Sequence, residues 1–168
     1  NNITCLSRNK LDFQHQNFVH KEFDALSDEY PEMDSLDCLV YCPGSINLKP
    51  ISTLTLEDFR NDFEINVIGA VKAIKKYLPL LKKSLSASIL LFSTVATKLG
   101  MPYHASVSVA KSGVDGLVKT LGSELAPKVR INAIAPTITN TDLASKILRN
   151  DKVIENMIER HTLKKILS

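Results

Sequence analysis

Lys111 closes the run GMPYHASVSVAK (residues 100–111) and keeps helical spacing with apolar neighbours, Val107 four residues before it and Val114 three after. An ammonium group on an apolar helix face is costly to bury without partners. Either its stem snorkels to the surface, or a polar site needs a fixed cation there. Asn66 poses the same question on a second apolar stripe, between Phe59 and Ala70. It reads either as a core amide bridging two helices or as a member of that site. Ser93 and Thr94 end the strand-like run SILLF. An amine, an amide and two hydroxyls gathered at the carboxyl edge of a sheet suit ligand binding, because open α/β folds bind ligands at that edge. His104 and Tyr103 precede Lys111 by seven and eight residues. Seven residues are two helical turns and return to nearly the same face. A histidine titrates near neutrality and could act there as a general acid.

The elements that must position these groups alternate between short β-rich runs and long helical patterns. Residues 3–6, 18–20, 36–41, 88–93 and 129–135 read as strands. Near-continuous apolar runs suggest burial on both faces, as in a parallel sheet. Thr55 with Asp58 resembles a capping box opening a helix over 55–83, with Leu56, Phe59, Phe63, Val67, Ala70, Ile74 and Leu78 in one stripe. Pro79 should kink or end it. A second helix over 104–125 buries Val107, Val114, Leu117, Val118, Leu121 and Leu125. The small residues Ala105, Ser106, Ser108, Ala110, Gly113 and Gly116 on that helix would admit a second backbone. The reading is one domain over 1–168, a doubly wound, three-layer, Rossmann-like α/β sheet.

Composition narrows the rest. With 44% hydrophobic and 23% charged residues the chain reads as globular, and a net charge of +3 with dispersed lysines argues against a nucleic-acid surface. Cys5, Cys38 and Cys42 are too few and too irregular for a zinc site or a disulfide framework, so no metal is expected. Cys38 and Cys42 read as small apolar fillers. No apolar run reaches the length of a membrane span. A cytoplasmic setting is the default expectation.

These segments resemble the short-chain dehydrogenase/reductase family, most closely over residues 36–143. LDCLVYCPG is similar to the family strand ending in Asn-Asn-Ala-Gly, with Gly44 kept; NVIGA supplies Asn66 at the helix asparagine; INAIAPTITNTDL follows the sixth strand, with Thr137 after Pro136 in place of a glycine. The resemblance implies hydride transfer between a nicotinamide cofactor and a carbonyl, alcohol or enoyl substrate. It puts Thr94 at the family's serine, with Ser93 as a substitute, and Lys111 at the lysine that holds the nicotinamide ribose. Thr141 falls where the family contacts the carboxamide. The acid–base tyrosine is replaced by Val107. Enoyl reductases carry their tyrosine seven residues before the lysine, the position of His104 here, with Tyr103 beside it. The alternative is a catalytically degenerate dinucleotide-binding or scaffolding protein of the same fold, or a purely structural subunit. After the first strand, Ser7 and Arg8 stand where a basic residue suits the 2′-phosphate of NADP and an acidic one suits NAD, so NADP is favoured over NAD. The family also implies a homodimer or homotetramer.

No glycine precedes Gly44, so the glycine-rich phosphate loop and first strand of the family are expected upstream of Asn1. In the family's order that strand separates the second from the fourth. No ladder is therefore expected between residues 3–6 and 36–41. Residues 144–168 are expected to form part of a substrate lid.

Overall fold

The computed structural model describes residues 2–145, 148, 150–160 and 163–167. Among them are five strands, β1 (Ile3–Ser7), β2 (Phe18–Glu22), β3 (Cys38–Tyr41), β4 (Ala87–Phe92) and β5 (Val129–Ile134). The helices are α1 (Leu56–Phe63), α2 (Gly69–Leu81), the short α3 (Ala96–Leu99), α4 (Ala105–Leu125) and α5 (Asp151–Arg160). Every strand pairing is parallel. β1 pairs only with β2, and β4 lies between β3 and β5 in a separate three-stranded sheet. No ladder joins β1 to β3, as the family's strand order implies. The fold class is the expected Rossmann-like α/β arrangement of parallel strands with flanking helices. None of the described helices is long and apolar enough to cross a membrane.

The core sits on one face of the larger sheet. Ala87, Ile89 and Leu91 of β4 and Val129 and Ile131 of β5 meet Ala70, Ala73, Ile74, Tyr77 and Leu81 of α2 and Val114 of α4. Each fully buried leucine or isoleucine there contributes about 2 kcal/mol of transfer free energy. The other face is less covered than the apolar runs suggested. On β4, buried residues alternate with half-buried ones, and on β3 Cys38 and Val40 are exposed. Cys38 and Cys42 are therefore exposed residues, not the core fillers expected from their flanking residues, although burial still pushes the Cys42 thiol up.

The capping box is present: Thr55 accepts the Asp58 N–H while the Asp58 carboxylate accepts the Thr55 N–H. The 55–83 helix is not one regular helix. Residues Glu64–Ile68 form a π-helical turn between α1 and α2, and α2 stops at Leu81, two residues past Pro79. The wider turn resets the face count. Leu56 and Phe63, expected in the buried stripe, are 74% and 41% exposed, whereas Asp62 is fully buried. α4 agrees with its expected span to one residue, with His104 at its N-cap position.

Candidate functional site

The π-helical turn shapes the site. In a π-turn the hydrogen bond skips one residue further, so nearby carbonyls lose their regular partners. The Gly69 N–H bonds the Glu64 carbonyl. The Ile65 carbonyl instead accepts the Tyr41 hydroxyl at 2.7 Å, and the Asp62 carbonyl accepts Asn66 Nδ2 at 2.7 Å. Gly69 is required at this crossing, since a Cβ there would stand 2.0 Å from Tyr41 Oη. Asn66, 2% exposed, is thereby fixed at the carboxyl edge of the large sheet.

Lys111 reaches the same edge from α4. Its ammonium donates to the Phe92 carbonyl, the last residue of β4, at 2.7 Å. Burial pushes the amine down to about 8, against the opposing pull of the Asp62 and Cys42 charges. Gly44 connects the two helices' polar groups: a Cβ there would lie 3.1 Å from Asn66 Oδ1 and 3.5 Å from Lys111 Nζ. Asn66 Oδ1 is buried without a hydrogen-bond partner.

The hydroxyls at the end of β4 differ. Ser93 is buried, and its Oγ has no hydrogen-bond partner. Thr94 Oγ1 accepts the Ala96 N–H at 3.3 Å, stabilising the turn into α3. Val107 is 5% exposed, one turn before Lys111. His104 and Tyr103 lie further out. His104 Nδ1 donates to the Pro102 carbonyl at 2.7 Å. Tyr103 is 59% exposed with φ of 68°, a conformation uncommon for a non-glycine residue. Both border an open cleft of about 520 Å³, together with Lys49, Ile51 and Met101. A seven-residue helical step is about 10.5 Å along the axis, so His104 stands two turns before Lys111, at the start of α4.

The remaining expected residues are more dispersed. Ser7 Oγ bonds the Asn9 carbonyl and His20 Nε2, both at 2.8 Å, and Arg8 is exposed at the end of β1. The Pro136 carbonyl accepts the Val95 N–H at 3.4 Å. Thr141 Oγ1 caps the 3-10 turn Asp142–Ala144. The expected lid over 144–168 is described only in part; residues 146, 147, 149, 161, 162 and 168 lie outside the described residues. α5 and a parallel bridge between Thr139 and Leu167 belong to this segment.

One group was absent from the sequence-derived set. Asp62 Oδ1 accepts Ser45 Oγ at 2.5 Å and Asn47 Nδ2 at 2.9 Å, and Ser45 Oγ also accepts Asn66 Nδ2 at 3.1 Å. The signal was available: Asp62 precedes Asn66 by four residues, so a carboxylate shares the helix face of a buried amide.

Comparison with known proteins places this geometry. A family model described as enoyl-(acyl carrier protein) reductase matches residues 6–168. A 3-oxoacyl-[acyl-carrier-protein] reductase of Synechocystis is 33% identical over 113 residues, 67% of this chain and 46% of that protein. A probable galactose dehydrogenase of Rhizobium meliloti is 27% identical over 85% of this chain and 56% of its own length. The chain thus spans about half the length of these curated relatives. The fold of a ligand-free aldohexose dehydrogenase from Thermoplasma acidophilum superposes with a TM-score of 0.85 at 22% identity, covering 99% of this chain and 71% of that one. ElxO with NADP bound gives a TM-score of 0.80 at 24% identity, over 90% of this chain and 66% of its own. With the family model spanning residues 6–168 and a reductase 33% identical over two thirds of this chain, the chain belongs to the short-chain dehydrogenase/reductase family of oxidoreductases.

Proposed function

We propose that this chain is the dinucleotide-binding part of an NADP-dependent oxidoreductase, which moves a hydride between nicotinamide and a small carbonyl, alcohol or enoyl substrate. The observation that carries the reading is the Lys111 ammonium, anchored to the Phe92 carbonyl beside Asn66 and Gly44. The residues fit such a cofactor. Asn66 Oδ1 and Ser93 Oγ are buried polar atoms without partners, and Gly44 leaves space that a Cβ would fill. Lys111 would hold the ribose, Thr141 the carboxamide and Arg8 the 2′-phosphate, with Ser7, Gly44 and Pro136 along the cofactor's edge. NAD is the alternative if Arg8 faces solvent in the complex.

Bound there, the nicotinamide supplies or accepts the hydride. Ser93 or Thr94 orients the substrate oxygen through a hydroxyl. Val107 has no proton to give, so protonation falls to His104 or Tyr103 at the mouth of the cleft. The family's homodimer or homotetramer belongs to the same proposal, supported by the exposed apolar side chains of Leu56, Phe63 and Val109 on the long helices.

A second reading, a dinucleotide-binding protein without turnover, is favoured by Val107 alone. Fluorescence titration with NADPH, beside turnover on a panel of carbonyl and enoyl substrates, separates the two. Turnover that survives a His104→Ala, Tyr103→Phe double change rules out the relocated acid. Tight NADPH binding without turnover supports the second reading. A Val107→Tyr variant is expected to gain carbonyl-reductase activity under the first.

A further inference from the structure

Asp62 is a carboxylate with no solvent exposure on a helix whose neighbouring positions are mostly apolar or surface-facing. Burying a carboxylate is costly unless it is paired or well hydrogen-bonded. Here one oxygen takes both donors, Ser45 Oγ and Asn47 Nδ2, while Oδ2 is buried with no hydrogen-bond partner. Asn66 Nδ2 donates to the same Ser45 oxygen, and Asn66 Oδ1 and Lys111 Nζ both border the point where a Gly44 Cβ would stand. The carboxylate, the serine and the amide therefore form a continuous polar path ending beside the ammonium.

We propose that Asp62 is a positioning residue of the Lys111 site, its carboxylate the buried counter-charge to the ammonium and, through Ser45, the group that fixes the orientation of Asn66. The inference rests on Lys111 being the centre of the site, and extends that reading to a group beneath it. The titratable groups facing Lys111 are Asp62 from α1 and Cys42 from the end of β3, both favouring the ammonium. On α4 itself, Asp115 turns instead to Thr97 and Lys98. Burial opposes these two groups and is the larger influence on Lys111. Loss of the Asp62 carboxylate would therefore leave the amine neutral over more of the physiological range.

The test is a titration of Lys111 in the whole chain after reductive 13C-methylation, followed by NMR, with Lys111→Arg assigning the resonance. Asp62→Asn keeps an oxygen for Ser45 and Asn47 but removes the charge. It should lower the Lys111 midpoint by about one pH unit. Asp62→Ser, which also removes the charge and leaves a hydroxyl for Asn47, should lower it by a similar amount, and supplies the same reading if Asp62→Asn does not fold. A midpoint unmoved in the folded variants overturns the proposal. A midpoint that falls in a protein that does not bind NADPH sustains the role of Asp62 while removing the cofactor reading, so the two failures are distinct.

Discussion

The three-stranded sheet and the β1–β2 pair are both built from parallel strands, yet they differ in what covers them. β4 and β5 bury alternate side chains under α2 and α4. β1 and β2 leave Ile3 58% and Val19 52% exposed. The difference follows the amphipathic helices after β3 and β4, which have no counterpart between β1 and β2. A strand's apolar content stabilises the fold only where a helix face lies against it. The proposed site follows the same division: Lys111, Asn66 and Ser93 belong to the covered sheet, Ser7 and Arg8 to the open pair.

The largest test of this contrast is a pair of truncations. Leu91→Ala should cost about 2–5 kcal/mol in denaturant unfolding, because Leu91 is 1% exposed. Val19→Ala should stay within about 0.5 kcal/mol. Comparable losses at the two positions would break the comparison. Next in size, Lys111→Met should weaken NADPH binding about a hundredfold, the cost of a lost charge-assisted hydrogen bond. Arg8→Ala should reduce only the preference for NADPH over NADH, by about tenfold. A larger effect at Arg8 would move the weight of the site onto the open pair.

The pH dependence sharpens the same point. Lys111 is depressed to about 8 in the folded chain, below the unfolded lysine near ~10.4. Between those two values the unfolded chain binds more protons, so the Lys111 contribution to stability rises with pH across that window. NADPH affinity should move the other way, falling as pH rises through about 8 and the ammonium is lost. Calorimetric unfolding and fluorescence titration at pH 7 and 9 check both signs. The smallest effect is at the α1 N-terminus, where Thr55→Ala should cost about 1 kcal/mol in the same unfolding measurement.

Much of the architecture was legible in the sequence because burial imposes a period. The five strands, the Thr55–Asp58 cap and α4 follow from apolar spacing and cap chemistry, with boundaries shifted by a residue or two. Lys111 and Asn66 stood out as polar residues on apolar faces, and they meet beside Gly44 in the fold. The π-helical turn was not legible. Counting by threes and fours assumes 3.6 residues per turn, and a wider turn at Glu64–Ile68 breaks that count. Phe63 was therefore placed inside and Asp62 overlooked. The exposure of Cys38 and Cys42 was equally hidden, because an apolar flank does not say whether a second layer covers the strand. Tyr103 and His104 were selected by spacing alone, and spacing along a helix does not fix how far a side chain stands from the group it would serve.

β4 is the one described strand with neighbours on both sides, and this has a consequence in time. Amide protons along β4 should exchange with solvent only when the larger sheet opens as a whole, whereas those of β1 and β2 can exchange through local separation of a two-stranded pair. The carbonyl that anchors Lys111 lies at the end of this strand. Ligands could arrive and leave many times during one opening of β4, and through all those visits the lysine would keep the same point of attachment.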